Sequence, residues 1–237
     1  VLCEKPLTVN AQQAKILVAL AQKHQCFMME CLWTRFLPAI KHLTVLLEQG
    51  VIGEIQTVKA NFSISGDFSP EHRLRNKDLA GGALLDLGIY PLTLAALIFS
   101  EKPTKIQSSA VIGATGVDES SFYLLEYAQG QRAVLSSSFI DGAPTEAIIS
   151  GSKGYIRLPN FLAAQTLHLH LGNEAVQTLA FPFEENESFT FEMADAMECI
   201  RQGKSQSDIL PLAKTVAMMA TMDTIRAQWG LKYSNES

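Results

Sequence analysis

Three residue types that together can move a proton sit in two short segments. One is the lysine of Glu4-Lys5-Pro6, and the others are the aspartate and tyrosine of Gly81-Gly82-Ala83-Leu84-Leu85-Asp86-Leu87-Gly88-Ile89-Tyr90. A phenol can donate a proton and later recover it, but with an ordinary pKa of about 10 it needs a neighbouring positive charge to act well at neutral pH. A lysine can supply that charge, and a carboxylate can hold either the lysine or a substrate hydroxyl. If the glycine-rich segment opens a helix, Asp86 and Tyr90 lie on one face, one turn apart, and can serve one site. Gly81, Gly82 and Gly88 would then remove side chains that obstruct a close cofactor or backbone. Proline after Lys5 restricts the lysine backbone to extended conformations and permits a cis peptide. Plainer readings stay open: Lys5 as a surface lysine before a turn, Asp86 and Tyr90 as first-turn and packing residues of a tight helix.

A third segment, Cys31-Leu32-Trp33-Thr34-Arg35-Phe36-Leu37-Pro38, joins aromatic surface to an arginine. Trp33 can bound an apolar part of a substrate, while Arg35 can bind cofactor, orient loops or form a structural ion pair. Arg73 and Arg75, just before the double glycine, carry the same ambiguity. His168 and His170 alternate with leucines and read as the exposed face of a strand, and two histidines are too few for a metal site. Ser136-Ser137-Ser138 lacks the strand-to-helix setting of a hydrolase nucleophile and reads as strand surface. Neither a G-x-G-x-x-G fingerprint nor a phosphate-binding P-loop occurs in the chain.

The elements that must position these residues follow from periodicity. Val1-Leu2-Cys3 reads as the end of a strand that stops at Lys5, where a ligand lies in open α/β sheets. Thr8 or Asn10 can cap a helix carrying Ala14, Leu17, Val18 and Ala21 at helical spacing, and Phe27-Met28-Met29 reads as a buried strand. A second helix is predicted over about 38–49, stopped by Gly50. From Ile55 the period changes to two, with Val58, Ala60, Phe62 and Ile64 on one face. A helix over about 82–99 precedes strands near 106–112, 121–127 and 132–139, the last two joined by a Gln129-Gly130 turn. Shorter strands are expected near 146–150, 155–158, 166–171 and 176–181. Two closing helices, about 189–202 and 212–229, would cover one face of this mainly antiparallel sheet with Phe191, Met197, Ile200, Val216, Met219 and Ile225. The resulting class is α+β.

Composition narrows the function. The chain has 237 residues, 47% hydrophobic and 18% charged, enough for a substantial core. A net charge of -5, from 19 basic and 24 acidic residues, offers no broad positive field for nucleic acid. Four cysteines without paired spacing read as reduced thiols rather than a disulfide framework. No apolar run is expected to reach the roughly 20 residues that cross a bilayer, and no secretory signal opens the chain, which together suggest a cytoplasmic protein. The start at Val1, with strand residues running straight into a motif, suggests a truncated chain.

In their order the motifs resemble the Gfo/Idh/MocA oxidoreductases, and within them the branch of dimeric dihydrodiol dehydrogenases and glucose-fructose oxidoreductases. The resemblance rests on Val1-Leu2-Cys3-Glu4-Lys5-Pro6-Leu7, Met29 through Pro38, Gly81 through Pro91, Gly151-Ser152-Lys153-Gly154-Tyr155-Ile156, and Glu198-Cys199-Ile200-Arg201-Gln202-Gly203. It implies a Rossmann α/β remnant over 1–31, followed over 32–237 by a substrate-binding and dimerisation α+β domain. It also implies hydride exchange between NAD or NADP, with NADP slightly favoured by the branch, and the CH–OH carbon of a sugar, polyol or vicinal diol. Tyr90 would be the general acid/base, Lys5 would lower its pKa, and Asp86 would position the alcohol. Glu4, Lys5, Pro6 and Arg35 would face the cofactor; Trp33, Phe62, Arg73 and Asp86 would face the substrate. Many relatives carry histidine where Tyr90 stands. Family members begin with about 90 further residues of nucleotide-binding fold, so this chain is expected to bind cofactor poorly by itself. A homodimer through the open sheet face is expected by analogy. The alternatives are a non-catalytic dimerisation or sugar-binding module that has lost its nucleotide domain, and a redox-inactive sugar sensor.

Overall fold

A short parallel pair opens the chain. Strand β1 (Leu2–Glu4) lies beside β2 (Met29–Cys31), with Leu2 opposite Met29 and Glu4 opposite Cys31, and helix α1 (Ala11–Lys23) connects them. The computed structural model describes residues 1–234 and 236. Of the two proposed caps, Asn10 is the one used: its side chain accepts the Gln13 amide at 2.9 Å. Strand β2 starts at Met29 rather than Phe27, because pairing begins where the Met29 amide reaches the Val1 carbonyl. Helix α2 (Pro38–Glu48) starts on a proline, whose missing N–H costs nothing there, and buries Ala39, Ile40, Leu43 and Leu46. Gly50, at φ 66°, follows its end.

The remaining strands are β3 (Ile55–Ser63), β4 (Lys105–Ile112), β5 (Asp118–Glu126), β6 (Arg132–Ser138), β7 (Glu146–Gly151), β8 (Gly154–Leu158), β9 (Thr166–Leu171) and β10 (Gln177–Ala180). They form one eight-stranded sheet in the order β10-β9-β8-β7-β3-β6-β5-β4. All neighbours are antiparallel except β3 and β6. Val58, Ala60 and Phe62 of β3 turn to the buried face, as their alternation requires. Helix α3 (Ile89–Phe99) packs on β3 and β6, and α5 (Leu212–Trp229) packs on β4, α3 and α1, tying the opening pair to the large sheet.

Four expectations need correction. The segment read as one helix over about 82–99 is a π-helical turn, Leu84–Gly88, leading into α3. Pro91 has no N–H for the Leu87 carbonyl and its ring crowds that oxygen, and the widened turn, with Ile89 N–H bonded back to the Leu84 carbonyl, accommodates it. The stretch Lys77–Phe99 is also long and apolar enough, by length and composition, to span a bilayer, with 72% of its most apolar window buried inside the protein. Helix α4 (Thr190–Arg201) does not lay Met197 and Ile200 on the sheet: they are 50% and 55% exposed. It packs through Glu192, Ala196 and Cys199 against a 3-10 turn, Trp33–Phe36, while α3 and α5 occupy the sheet face. Finally, Ser137 and Ser138 are buried rather than strand surface, because β6 runs under the π-helical turn.

Candidate active site

The carboxyl end of β1, the π-helical turn and the 3-10 turn after β2 converge on one cluster. The Lys5–Pro6 bond is cis. Lys5 Nζ donates to the Asp86 carbonyl at 2.6 Å and to Asp86 Oδ1 at 2.9 Å, and it lies 5.0 Å from the centre of the Tyr90 ring. Arg73 grips the same carboxylate with both terminal nitrogens, at 2.7 and 3.3 Å. Lys5 is 13% exposed and Arg73 65%, so the lysine is the better shielded partner. Burial pushes the Asp86 carboxyl up, but Arg73 and Lys5 outweigh it and hold the group below its ordinary range.

Tyr90 is clamped by rings. Its hydroxyl accepts the Trp33 Nε1 hydrogen at 3.2 Å, and its ring meets Trp33 and Phe62 edge-on at 6.5 and 5.7 Å. Burial pushes the phenol well above its ordinary value; the Trp33 hydrogen bond opposes this, and the charges of Asp86, Glu4 and Glu192 add to it. Burial is the largest of these influences, and the Lys5 ammonium is engaged by Asp86.

The three glycines serve the protein's own backbone and a buried carboxylate. A Cβ on Gly81 would stand 2.6 Å from the Arg73 carbonyl, and one on Gly82, at φ 130°, would collide with Asp118 Oδ1. Gly88 sits against Tyr123 and Ser137. These are parts of a polar core under the turn, in which Asp118 Oδ2 accepts the Leu84 amide at 2.7 Å and the Ser121 hydroxyl at 3.1 Å. Ser121, Tyr123 and Ser137 exchange hydrogen bonds among themselves. Burial pushes Asp118 up to about 7, against the pull of its hydrogen bonds.

Of the predicted residues, Lys5, Asp86, Tyr90, Trp33, Phe62 and Arg73 are brought together. Glu4 is exposed, but its charge reaches Tyr90. Arg35 stands apart: it donates to the Ile209 carbonyl at 2.9 Å, has no hydrogen bond to the cluster among the described residues, and is lowered to about 10 by burial. Arg75 turns to Glu119, at 3.4 Å. His170 stacks on Tyr155 and His168 meets Thr178. Among the described residues, no group of three His, Cys, Asp or Glu side chains is arranged to hold a metal.

Two residues were missed. Phe189 packs on Trp33 at 5.4 Å, extending the aromatic wall. Glu192, in the first turn of α4, is 2% exposed, leaves Oε2 without a hydrogen-bond partner, and is raised to about 7 by burial and by Glu4. A glutamate at a buried helical position is invisible to a hydrophobic periodicity. The whole arrangement, an ammonium, a carboxylate and a phenol inside an aromatic collar, can hold a hydroxyl group and exchange its proton.

Comparison with known proteins finds relatives over nearly the whole chain. Residues 40–157 match the family model of the GFO/IDH/MocA C-terminal domain. Trans-1,2-dihydrobenzene-1,2-diol dehydrogenase from Xenopus laevis is 34% identical over 239 residues, covering 98% of this chain and 72% of the relative. The Homo sapiens protein of that name is 30% identical over 246 residues, covering 100% and 72%. Among solved structures, aldose-aldose oxidoreductase from Caulobacter crescentus, complexed with glycerol, superposes with a TM-score of 0.85 at 21% identity, covering 97% of this chain and 70% of that one. A 3-ketoreductase from Actinomadura kijaniata, in complex with NADP and TDP-benzene, gives 0.82 at 24% identity, covering 96% and 70%. With relatives this similar across nearly its whole length, the chain belongs to the Gfo/Idh/MocA family of oxidoreductases.

Proposed function

We propose that this chain carries the hydroxyl-handling side of an NAD(P)-dependent oxidoreductase site, acting on the CH–OH carbon of a sugar, polyol or vicinal diol, with Tyr90 as general acid/base. The observation that carries the reading is the Lys5–Asp86 pair, 2.9 Å long, set against the ring of a tyrosine walled by Trp33 and Phe62. One donor, one acceptor and one transferable proton are the set that a secondary alcohol needs, and flat apolar rings suit an uncharged cyclic body. The donor set also fits a nicotinamide beside it, since Lys5 ends a parallel strand where dinucleotides lie in open α/β sheets. The nicotinamide, when bound, supplies or accepts the hydride. NADP is favoured over NAD by the branch and by the NADP bound in the related ketoreductase structure.

The residues divide the proton work. Asp86, kept ionised by Arg73 and Lys5, accepts the hydrogen bond of a substrate hydroxyl. Tyr90, kept protonated by burial, donates to the oxyanion that forms when a carbonyl is reduced. For alcohol oxidation the phenol must first lose its proton, and a hydroxyl that displaces Lys5 from Asp86 frees the ammonium to favour that loss. Two copies would pair through the open sheet face, where Phe122, Val134 and Val111 are 58%, 47% and 53% exposed. A second reading, a sugar-binding module without turnover, is favoured by the commitment of Lys5 to Asp86. Steady-state assays of the full-length protein over a panel of trans-dihydrodiols, aldoses and polyols with NADP and NADPH separate the two. Tyr90→Phe and Lys5→Met should each lower kcat by about 100-fold or more without changing the circular dichroism spectrum. Near-normal turnover in both variants would sink the catalytic assignment, and binding without turnover in the unaltered protein would favour the module.

A further inference from the structure

Beyond α5 the chain folds back on its own helix. Gly230, at φ 67°, turns it, and the Leu231 amide returns to the Arg226 carbonyl. Leu231 and Tyr233 are buried, although the segment that carries them forms neither helix nor strand. We propose that Tyr233 is a positioning residue for the Lys5–Asp86–Tyr90 cluster, at the middle of a link between the segment that leads to Asp86 and the segment that follows Lys5.

One end of the link is a phenol on a backbone carbonyl. The Tyr233 hydroxyl donates to the Gly81 carbonyl at 2.6 Å in a buried position, and the neighbouring Ser234 hydroxyl donates to Asp78 at 3.1 Å. Burial pushes the Tyr233 phenol well above its ordinary value, and the charge of Asp118 adds to this, so the group stays a donor at neutral pH. From Gly81 to Asp86 the backbone is braced: Asp118 accepts the Leu84 amide at 2.7 Å, and the Asp86 amide bonds back to the Gly82 carbonyl at 3.3 Å. A shift at Gly81 is therefore passed to the residue that carries the carboxylate.

The other end is ionic. One oxygen of Glu236 accepts both the Tyr233 amide, at 2.8 Å, and an Arg226 terminal nitrogen, at 3.0 Å, and the guanidinium lies 5.0 Å from the centre of the Tyr233 ring. The second terminal nitrogen of Arg226 donates to the Val9 carbonyl at 3.1 Å, shortly after Lys5-Pro6. Two backbone carbonyls far apart in the chain, those of Gly81 and Val9, are thus joined through three side chains: Tyr233, Glu236 and Arg226. Lys5 and Asp86, which must meet at 2.9 Å, lie one beside each end. A phenylalanine at 233 would fill the same space and keep its contact with Arg226, but it would take the donor away from Gly81.

The inference rests on the proton-transfer reading of the cluster, and the full-length protein tests both, with NADP and the fastest of the dihydrodiols, aldoses and polyols above. Tyr233→Phe should lower kcat by about tenfold and leave the KM for NADP unchanged. It should also move the acid limb of the kcat/KM profile to higher pH, because a looser Lys5 contact lowers Asp86 less. Glu236→Gln weakens the far end of the link and should do the same, and the double variant should be no slower than the slower single, as members of one link require. A role in folding alone would lower the urea midpoint and leave kcat and the acid limb where they are. Parent-like kcat and acid limb in Tyr233→Phe while Tyr90→Phe is inactive, or additive losses in the double variant, overturn this inference alone. Parent-like kcat in Tyr90→Phe, or no turnover in the unaltered protein, overturns the reading beneath it as well. If Tyr233→Phe does not fold, Glu236→Gln decides by the same two readouts.

Discussion

Replacing Asp118 by asparagine tests whether a buried charge lies under the π-helical turn. The carboxyl is fully buried, accepts the Leu84 amide and the Ser121 hydroxyl through Oδ2, and leaves Oδ1 without a partner. Burial raises its pKa from 3.8 to about 7. The folded protein therefore holds this proton more tightly than the unfolded chain does. Its stabilising contribution is complete below pH 3.8 and is lost as pH rises through about 7. The full change corresponds to about 4 kcal/mol, at 1.36 kcal/mol for each tenfold change in proton affinity. In Asp118→Asn the amide oxygen can keep both hydrogen bonds and no charge can form. The variant should match the parent near pH 4 and exceed it progressively toward pH 8, by up to about 4 kcal/mol. Urea unfolding at several pH values, followed by tryptophan fluorescence, measures this difference; Trp229 stacks on Tyr123 at 6.2 Å and reports from beside the network. A difference that stays flat with pH, or that favours the parent more as pH rises, refutes the reasoning.

Three further outcomes follow from the same geometry. Gly82→Ala should cost about 3 kcal/mol or more in chemical unfolding, because φ 130° and the Asp118 contact penalise it together; Gly50→Ala, at φ 66° with open space around it, should cost only about 1 kcal/mol. Arg73→Leu removes a contact that lowers Asp86, so the acid limb of the kcat/KM profile should move to higher pH, and an unmoved limb would exclude ionised Asp86 as the acceptor. Trp33→Phe removes the hydrogen bond that opposes the rise in Tyr90, so the pH at which alcohol oxidation reaches its plateau should increase; a profile identical to the parent's would remove Tyr90 from the rate-limiting proton transfer.

Local signals in the sequence carried the elements a long way. The alternation of Val58, Ala60 and Phe62, the proline and glycine that bracket α2, and the Asn10 cap each act within a few residues, and each appears where expected. Lys5, Asp86 and Tyr90 were legible as residue types, and Lys5 reaches both of the others although the turn carrying Asp86 is π-helical. What stayed hidden depends on neighbours distant in the chain. Ser137 is polar and reads as surface, yet a turn 50 or so positions earlier covers it. Glu192 and Ala196 carry the packing of α4, although Met193, Met197 and Ile200 are the more apolar choice, because the helix meets a narrow 3-10 turn and not the sheet. Arg73 and Arg75 are two residues apart and equivalent by type, but only the first points to Asp86. The π-helical turn needed the steric consequence of Pro91 to be carried one turn upstream.

The cluster is split between two bodies, and this makes its alignment a matter of packing far from the chemistry. Lys5 follows the opening strand pair, whereas Asp86 and Tyr90 belong to the π-helical turn and to α3 on the large sheet, and α5 contacts both α1 and α3. Its buried Arg226 donates to the Val9 carbonyl and pairs with Asp223 and Glu236, while Asp223 Oδ2 accepts the Ala11 amide at 2.9 Å. Val9 and Ala11 lie just beyond Lys5-Pro6, so this clamp fixes where the lysine emerges. A hydrogen bond of 2.9 Å between Lys5 and Asp86 leaves little slack, and a shift of about 1 Å in such a geometry can cost about 100-fold in rate. Arg226, which touches none of the cluster, thus ties α5 to the segment just beyond Lys5-Pro6.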